Sequence, residues 1–408
     1  MILLIRGGKP GDVLIKDGKI AKVGRVSGRA DRTVDARGLL VVPGLIDMHV
    51  HLREPGREDK ETVASGTAAA AAGGFAGVAA MANSGIPCDS AVGVVYLLAM
   101  AREAGRANVF PVGAVSKGLK GEELAELGRM VDAGAVAFSD DGNPVMNSEL
   151  MRRALEYSRM LGKPILSHCE DAHLTRGAVM NEGRVSAELG LRGWPNAAEA
   201  AMAARDVYLA ALTGGHVHIQ HVSAAETVDV VRRAKRLGIR VTAEATPHHL
   251  TLTDECLRGY ESRYKMFPPL RSRADVEAVV EGVADGTIDA IATDHAPHTM
   301  EEKEQELAAC PSGVVGLETA LGVVLSIKGI SLERKIDALS AAPARILGLK
   351  SRGRLEPGAE GDVTLIDPRA AWTVDPSKFL SRGRSTPFEG MKLVGRAVRV
   401  IVGGRECS

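Results

Sequence analysis

The stretch Leu39-Leu40-Val41-Val42-Pro43-Gly44-Leu45-Ile46-Asp47-Met48-His49-Val50-His51-Leu52-Arg53-Glu54-Pro55-Gly56 carries an apolar strand into two imidazoles, an arginine and a Pro-Gly turn. Side chains of an extended strand alternate between faces, so His49 and His51 point the same way and can grip one metal ion side by side. Buried strand passing abruptly into polar loop is how the mouth of a parallel barrel looks. That context favours a metal pair over two histidines satisfied by backbone carbonyls.

Outward from this stretch, residues 43–348 repeat an apolar strand followed by an Ala- and Leu-rich helix, the pattern of a parallel sheet with crossover helices. Strands are predicted at 45–51, 74–81, 109–115, 135–141, 164–170, 216–223, 240–245 and 289–295. Helices are predicted at 61–72, 89–103, 122–133, 148–161, 199–213, 224–237 and 273–283. Eight such units suggest a closed barrel. An open doubly wound sheet would carry a glycine fingerprint after its first strand, where this chain has His-Val-His-Leu-Arg. Short strands at 2–5, 12–15, 20–23 and 32–35 need partners to bury a face, and 361–367 and 394–402 supply matching material. The expected fold is therefore α/β: a (β/α)8 TIM-type barrel over 43–348, with a small composite β-domain from 1–42 and 349–408.

Lys+Arg and Asp+Glu balance at 51 each over 408 residues, which argues against nucleic acid or an anionic membrane as partner and fits a small-molecule substrate. The cysteines, Cys88, Cys169, Cys256, Cys310 and Cys407, are odd in number and widely spaced, without a C-x-x-C. Neither a disulfide framework nor a thiolate zinc site is expected, and a reducing cytoplasm is. The apolar start at 1–6 is too short for a signal peptide, and no run reaches the length of a membrane span.

Polar residues cluster where the predicted strands end: Asn83 after the second, Asp140 and Asp141 after the fourth, His168 after the fifth, His221 after the sixth. His248 and His249 follow the seventh, and Asp294, His295 and His298 lie at the eighth. Such ends converge on one face of a barrel. His49, His51, Asp141, His168, His221 and Asp294 then make four imidazoles and two carboxylates, too many ligands for one tetrahedral zinc. They suit two divalent ions about 3.5–4 Å apart. His216 and His218 precede their strand end and read as packing residues or as outer supports of the ligands, His173 as a helix-face residue and Cys169 as core lining.

The run Asp47-Met48-His49-Val50-His51-Leu52-Arg53-Glu54-Pro55-Gly56 resembles the signature of dihydroorotases in the amidohydrolase superfamily, and Asp294-His295-Ala296-Pro297-His298 with Gly316-Leu317-Glu318-Thr319 resembles its second signature. The similarity continues through His168-Cys169-Glu170-Asp171, His221-Val222-Ser223, Thr246-Pro247-His248-His249-Leu250 and Ser385-Thr386-Pro387-Phe388. The resemblance implies a metal-dependent barrel that reversibly cyclises N-carbamoyl-L-aspartate to dihydroorotate, a pyrimidine-biosynthetic step. It implies two Zn2+ per subunit: His49 and His51 on one, His168 and His221 on the other, Asp141 bridging, and Asp294 as metal-side catalytic aspartate. Substrate contacts would come from His51, Arg53, Asn83, Phe267, His298, Ser312 and Gly313. A homodimer, an aspartate carbamoyltransferase partner and a cytoplasmic location follow from the same resemblance.

Many relatives bridge their metals with a carboxylated lysine, but no lysine occurs between Lys120 and Lys163, and Ala137-Phe138-Ser139-Asp140-Asp141-Gly142 resembles the aspartate-bridged branch. Met81-Ala82-Asn83-Ser84 departs from the usual Met-Pro-Asn-Thr. Phe267 stands where asparagine is usual and Ser312 where phenylalanine is common. The alternatives are another cyclic amidase, hydantoinase- or allantoinase-like, and a catalytically silent scaffold for aspartate carbamoyltransferase. Residues 299–312 read as a mobile lid over the mouth.

Overall fold

In the computed structural model, which describes residues 1–407, eight parallel strands succeed one another in chain order: Leu45–Val50, Phe75–Ala80, Asn108–Gly113, Ala137–Phe138, Ile165–Ser167, Val217–Ile219, Val241–Ala245 and Ala290–Ile291. A parallel bridge between Val50 and His295, with the His51 N–H donating to the His295 carbonyl at 2.8 Å, joins the last strand region to the first. The strands are near-continuous apolar runs because helices cover one face and the barrel interior the other. Every residue of Leu45–Val50 and Phe75–Ala80 is buried. Helices Val63–Gly73, Ala91–Ala104, Leu127–Ala133, Ser148–Leu161, Asn196–Thr213, Ala225–Arg236 and Arg273–Asp285 fill the crossovers.

All eight predicted strands are present, but the fourth, fifth, sixth and eighth are two or three residues long, several shorter than expected. Their C-terminal residues leave the hydrogen-bonded ladder to aim polar side chains at the barrel mouth. The helix expected over 122–133 begins only at Leu127. The preceding residues turn back instead: Lys117 N–H donates to Glu123 O at 2.8 Å and Ala125 N–H to Val115 O at 2.9 Å. His173 lies in an exposed turn, not on a helix, because Asp171 caps that turn by accepting the His173 N–H at 2.9 Å.

Strands from both chain ends share one apolar core. Lys19–Gly24, Asp12–Lys16, Ile2–Arg6 and Arg32–Asp35 form one sheet; Arg405–Glu406, Lys392–Val402, Val363–Thr373 and Leu40–Pro43 form another. Leu3, Ile5, Val13 and Ile20 pack with Val363, Leu365 and Ile401 between them. The chain crosses into the barrel at Gly44, where a Cβ would come within 2.6 Å of Ala76 Cβ and 2.8 Å of Asp362 Cβ. Only glycine lets this sheet lie so close to the barrel floor.

Candidate metal centre

His49 sits in the first barrel strand and His51 just past its end, and both turn inward. His49 Nε2 is 3.3 Å from Asp141 Oδ1, and His51 Nε2 is 3.4 Å from Asp141 Oδ2. From the opposite side, His168 Nδ1 and His221 Nε2 stand 3.5 and 3.4 Å from Asp141 Oδ1. Two buried triads, His49/His51/Asp141 and Asp141/His168/His221, thus share one carboxylate, the ligand atoms of each within 4.8 Å of one another. Asp294 Oδ1 lies beside the first triad, 3.0 Å from His51 Nε2 and 3.5 Å from His49 Nε2.

These residues fit a pair of divalent cations. His49 Nδ1 bonds Glu244 Oε1 at 2.6 Å, His51 Nδ1 bonds Asn83 Oδ1 at 2.6 Å, and His168 Nε2 bonds Glu170 Oε2 at 2.9 Å. Each acceptor takes the proton of the outer nitrogen and leaves a bare lone pair on the nitrogen that faces Asp141. His49 Nε2 and Asp141 Oδ1 are buried without any hydrogen-bond partner, which is costly unless something else satisfies them. Burial would lower His49, yet the carboxylates of Asp141, Glu244 and Asp294 hold it well above its ordinary value. Burial would likewise raise Asp141, but His49, His168 and His221 keep its carboxyl well below the usual range. The cage calls for positive charge at its centre.

Local backbone geometry holds these groups. Arg53, His221 and Asp294 adopt left-handed φ angles of 59°, 32° and 48°, a strained conformation that persists where surrounding bonds over-determine it. Asp47 supplies such bonds, accepting the His49 and Thr293 N–H groups at 3.1 Å each and tying the first strand to the eighth. Asp140 faces away from the imidazoles. Its carboxylate accepts from Val115 N–H at 2.7 Å and Ser116 N–H at 3.1 Å, closing the preceding loop.

Next to the cage lies a cluster of opposite sign. Arg53 Nε donates to the Pro297 carbonyl at 3.2 Å, and one of its terminal nitrogens is 3.5 Å from His298 Nε2. His298 Nε2 also bonds the Ser312 carbonyl at 2.8 Å, while Lys60 Nζ reaches His298 Nδ1 at 3.0 Å and Glu302 Oε1 at 2.9 Å. Burial, then the charges of Arg53, Lys60 and Lys303, push His298 down to about 3, so its ring is neutral. Gly313 lies against it: a Cβ there would be 3.1 Å from His298 Nε2.

Residues 299–312, expected as a lid, are pinned down. Lys303 Nζ donates to the carbonyls of Pro311 (2.9 Å) and Gly313 (3.1 Å). Lys265 Nζ donates to those of Leu307 (2.6 Å), Ala308 (3.1 Å) and Cys310 (2.7 Å). The Phe267 ring packs edge-on against Trp194, with centroids 5.0 Å apart, while the neighbouring Pro268 carbonyl bonds His249 Nε2 at 3.0 Å.

Asn83 has both ends of its amide engaged, its Nδ2 donating to the Asp141 carbonyl at 3.0 Å. Sequence reasoning missed Glu244, Glu170 and Lys60. Glu244 had a usable signal, a lone acid inside an apolar strand that must find a partner if buried. Lys60 had none, because Arg57-Glu58-Asp59-Lys60-Glu61 reads as a solvated charge run. His218, expected either to pack or to support a ligand, does the latter by bonding Glu244 Oε2 at 3.2 Å.

Comparison with known proteins gives a consistent setting. The family described as dihydro-orotase-like matches residues 38–227, and the amidohydrolase family matches 177–407. A dihydroorotase of Pelotomaculum thermopropionicum is 54% identical, the match covering 99% of this chain and 98% of the relative. One of Citrifermentans bemidjiense is 51% identical, covering 99% of each. Among solved structures, an L-hydantoinase (dihydropyrimidinase) from Arthrobacter aurescens superposes with a TM-score of 0.89 at 26% identity, over 100% of this chain and 96% of that one.

Proposed function

This chain belongs to the dihydroorotase family of the amidohydrolases, and from that premise we propose that its buried polar centre reversibly closes N-carbamoyl-L-aspartate to dihydroorotate in pyrimidine biosynthesis. It is a cyclic amide hydrolase on a TIM-type barrel. The observation that supports the reading most is the sharing of Asp141 by two imidazole pairs, each with a bare nitrogen turned to it.

When bound, two divalent cations would supply Lewis acidity, polarising the ring amide carbonyl and acidifying the attacking water. His49, His51, His168 and His221 would hold them with Asp141 between. Zinc is the ion we assign, since imidazole and carboxylate donors in a confined site suit it. Asp294 is the base: burial would raise its carboxyl, but His49 and His51 keep it below its ordinary value, hence ionised. It takes the proton of the water on a carboxylate oxygen and returns it to the ring nitrogen as the amide bond breaks. In ring closure it takes the proton of the attacking ureido nitrogen and returns it to the carboxylate oxygen whose C–O bond breaks, which leaves as water. The Arg53 guanidinium, whose Nε donates to the Pro297 carbonyl and whose terminal nitrogens bond no acid of the described residues, is free to fork onto the substrate carboxylate.

The engagement of the Phe267 ring with Trp194 supports a substrate contact made there by backbone, compatible with dihydroorotate despite the unusual side chain. A cytoplasmic location is supported by five free cysteines, and no helix among the described residues is long and apolar enough to cross a membrane. A homodimer is supported by exposed Tyr208, Leu212 and Met160 on the neighbouring helices Asn196–Thr213 and Ser148–Leu161. Association with an aspartate carbamoyltransferase rests on family resemblance, and co-sedimentation tests it.

The deciding experiment is elemental analysis of the purified protein alongside hydrolysis of dihydroorotate and of unsubstituted hydantoin. Two zinc ions per chain and a preference for dihydroorotate are expected. A preference for hydantoin would move the assignment to the activity named for the structural neighbour, and a folded, metal-free, inactive barrel would favour a scaffold.

A further inference from the structure

Lys60 is buried to 7% exposure, yet it lies outside the metal cage and on no strand end. Its Nζ meets His298 Nδ1 at 3.0 Å and Glu302 Oε1 at 2.9 Å. Glu302 Oε2 is itself 3.2 Å from the same His298 Nδ1. At the far side of the ring, His298 Nε2 is 2.8 Å from the Ser312 carbonyl, which can only accept.

A neutral imidazole carries one proton, on one nitrogen or the other. The Ser312 carbonyl requires it on Nε2, which leaves Nδ1 bare and in need of a donor. Glu302 cannot be that donor: burial would raise its carboxyl, but Lys60 and Arg57 hold it down to about 2. Lys60 alone among these contacts brings N–H groups to Nδ1. Without it, Glu302 would draw the proton to Nδ1, and a bare Nε2 would then face the Ser312 carbonyl, lone pair against lone pair.

Resting on the dihydroorotase reading above, we propose that Lys60 is a positioning residue that fixes His298 as its Nε2–H tautomer, so that His298 holds the Ser312 carbonyl and cannot accept from Arg53, whose terminal nitrogen is kept for the substrate carboxylate. The same bond chain sets the backbone at Ser312 and Gly313. Lys60 Nζ holds His298, His298 Nε2–H holds the Ser312 carbonyl, and Lys303 Nζ holds the Gly313 carbonyl at 3.1 Å. With its proton on Nε2, His298 offers no lone pair to the Arg53 terminal nitrogen 3.5 Å away, which leaves that nitrogen for an anion; a bare Nε2 would instead accept from it.

The test combines histidine 15N NMR with steady-state kinetics on the metal-loaded protein, the His298 signals being identified by their loss in His298→Asn. The parent is expected in the Nε2–H state; an Nδ1–H parent overturns the proposal without any Lys60 variant. Lys60→Met should switch His298 to Nδ1–H and raise KM for dihydroorotate about tenfold, the loss of one hydrogen bond to a charged group, with kcat and metal content little changed. Lys60→Gln keeps an N–H donor at that place and should keep both the tautomer and a near-parent KM. An Nε2–H tautomer with unchanged KM in Lys60→Met would overturn the inference, as would equal KM losses in the Met and Gln variants. If the parent itself fails to turn over dihydroorotate, the functional reading falls, while the tautomers of parent and variants still decide the role of Lys60.

Discussion

Two polar clusters stand side by side at the barrel mouth, built on opposite plans. The metal cage is made at strand ends, has a surplus of carboxylates in Asp141, Asp294, Glu244 and Glu170, and leaves His49 Nε2 and Asp141 Oδ1 unsatisfied. The neighbouring cluster comes from the loop after the first strand and from the helix Met300–Lys303, brings Arg53, Lys60 and Lys303 to His298 with Glu302 pairing Lys60 and Arg57, and has its neutral imidazole satisfied at both nitrogens. The donors of one region suit cations and those of the other an anion. A small acid with a cleavable ring amide can place its carboxylate on the second region and its amide at the first, which is why the difference between them predicts a division of labour: chemistry in the cage, charge recognition beside it.

The harshest test of that division is Asp141→Ala. It should strip metal and abolish turnover on charged and uncharged substrates alike, because both triads lose their common ligand; full occupancy with normal turnover would dissolve the cage. Arg53→Met should act on the other side only. Losing a guanidinium fork to a carboxylate costs about 1.5–3 kcal/mol, roughly 10- to 150-fold, and should appear in KM for dihydroorotate but not for dihydrouracil. Equal effects on the two substrates would merge the clusters into one.

Glu244→Gln probes how far the cage depends on its outer bonds. Loss of the charged partner of His49 should lower metal affinity or activity by about 10- to 100-fold, with KM for dihydroorotate nearly unchanged when metal is saturating. Metal titration followed by assay separates the two. A gentler effect comes from pH. Burial, then the neighbouring charges, hold His298 at about 3 and His216 at about 4, below the unfolded value near 6.5. As the pH falls below 6.5 the unfolded chain binds protons that the folded chain refuses, so this stability is complete above 6.5 and is lost down to those folded values. Each group contributes a slope of up to about 1.4 kcal/mol per pH unit. Urea unfolding of metal-loaded protein at pH 7.5 and pH 5 should register it, and His298→Asn should flatten the slope; an identical slope would mean His298 is not held neutral.

The strand-and-helix rhythm was legible because each barrel strand is apolar on both faces and each helix returns at a regular distance. Its limits were equally physical. The helix begun at Leu127 and not at 122 reflects a local backbone pairing with Val115 and Lys117 that no periodicity encodes. The fourth strand stops at Phe138, so strand alternation does not explain why Asp141 and not Asp140 meets the imidazoles. The turn does that, by spending Asp140 on the Val115 and Ser116 amides.

What the sequence by itself determined was the inventory of donors and their distribution over strand ends, since alternation and apolar runs are properties of the local chain. Tertiary structure alone decided which nitrogen of each imidazole is bare, because that depends on Glu244, Asn83 and Glu170 arriving from other elements. It also decided that Lys60, in a charge run ordinarily left in water, is buried against His298, a residue 238 positions away. Proton positions and burial follow from three-dimensional neighbours, and a linear pattern carries the residue types without the contacts.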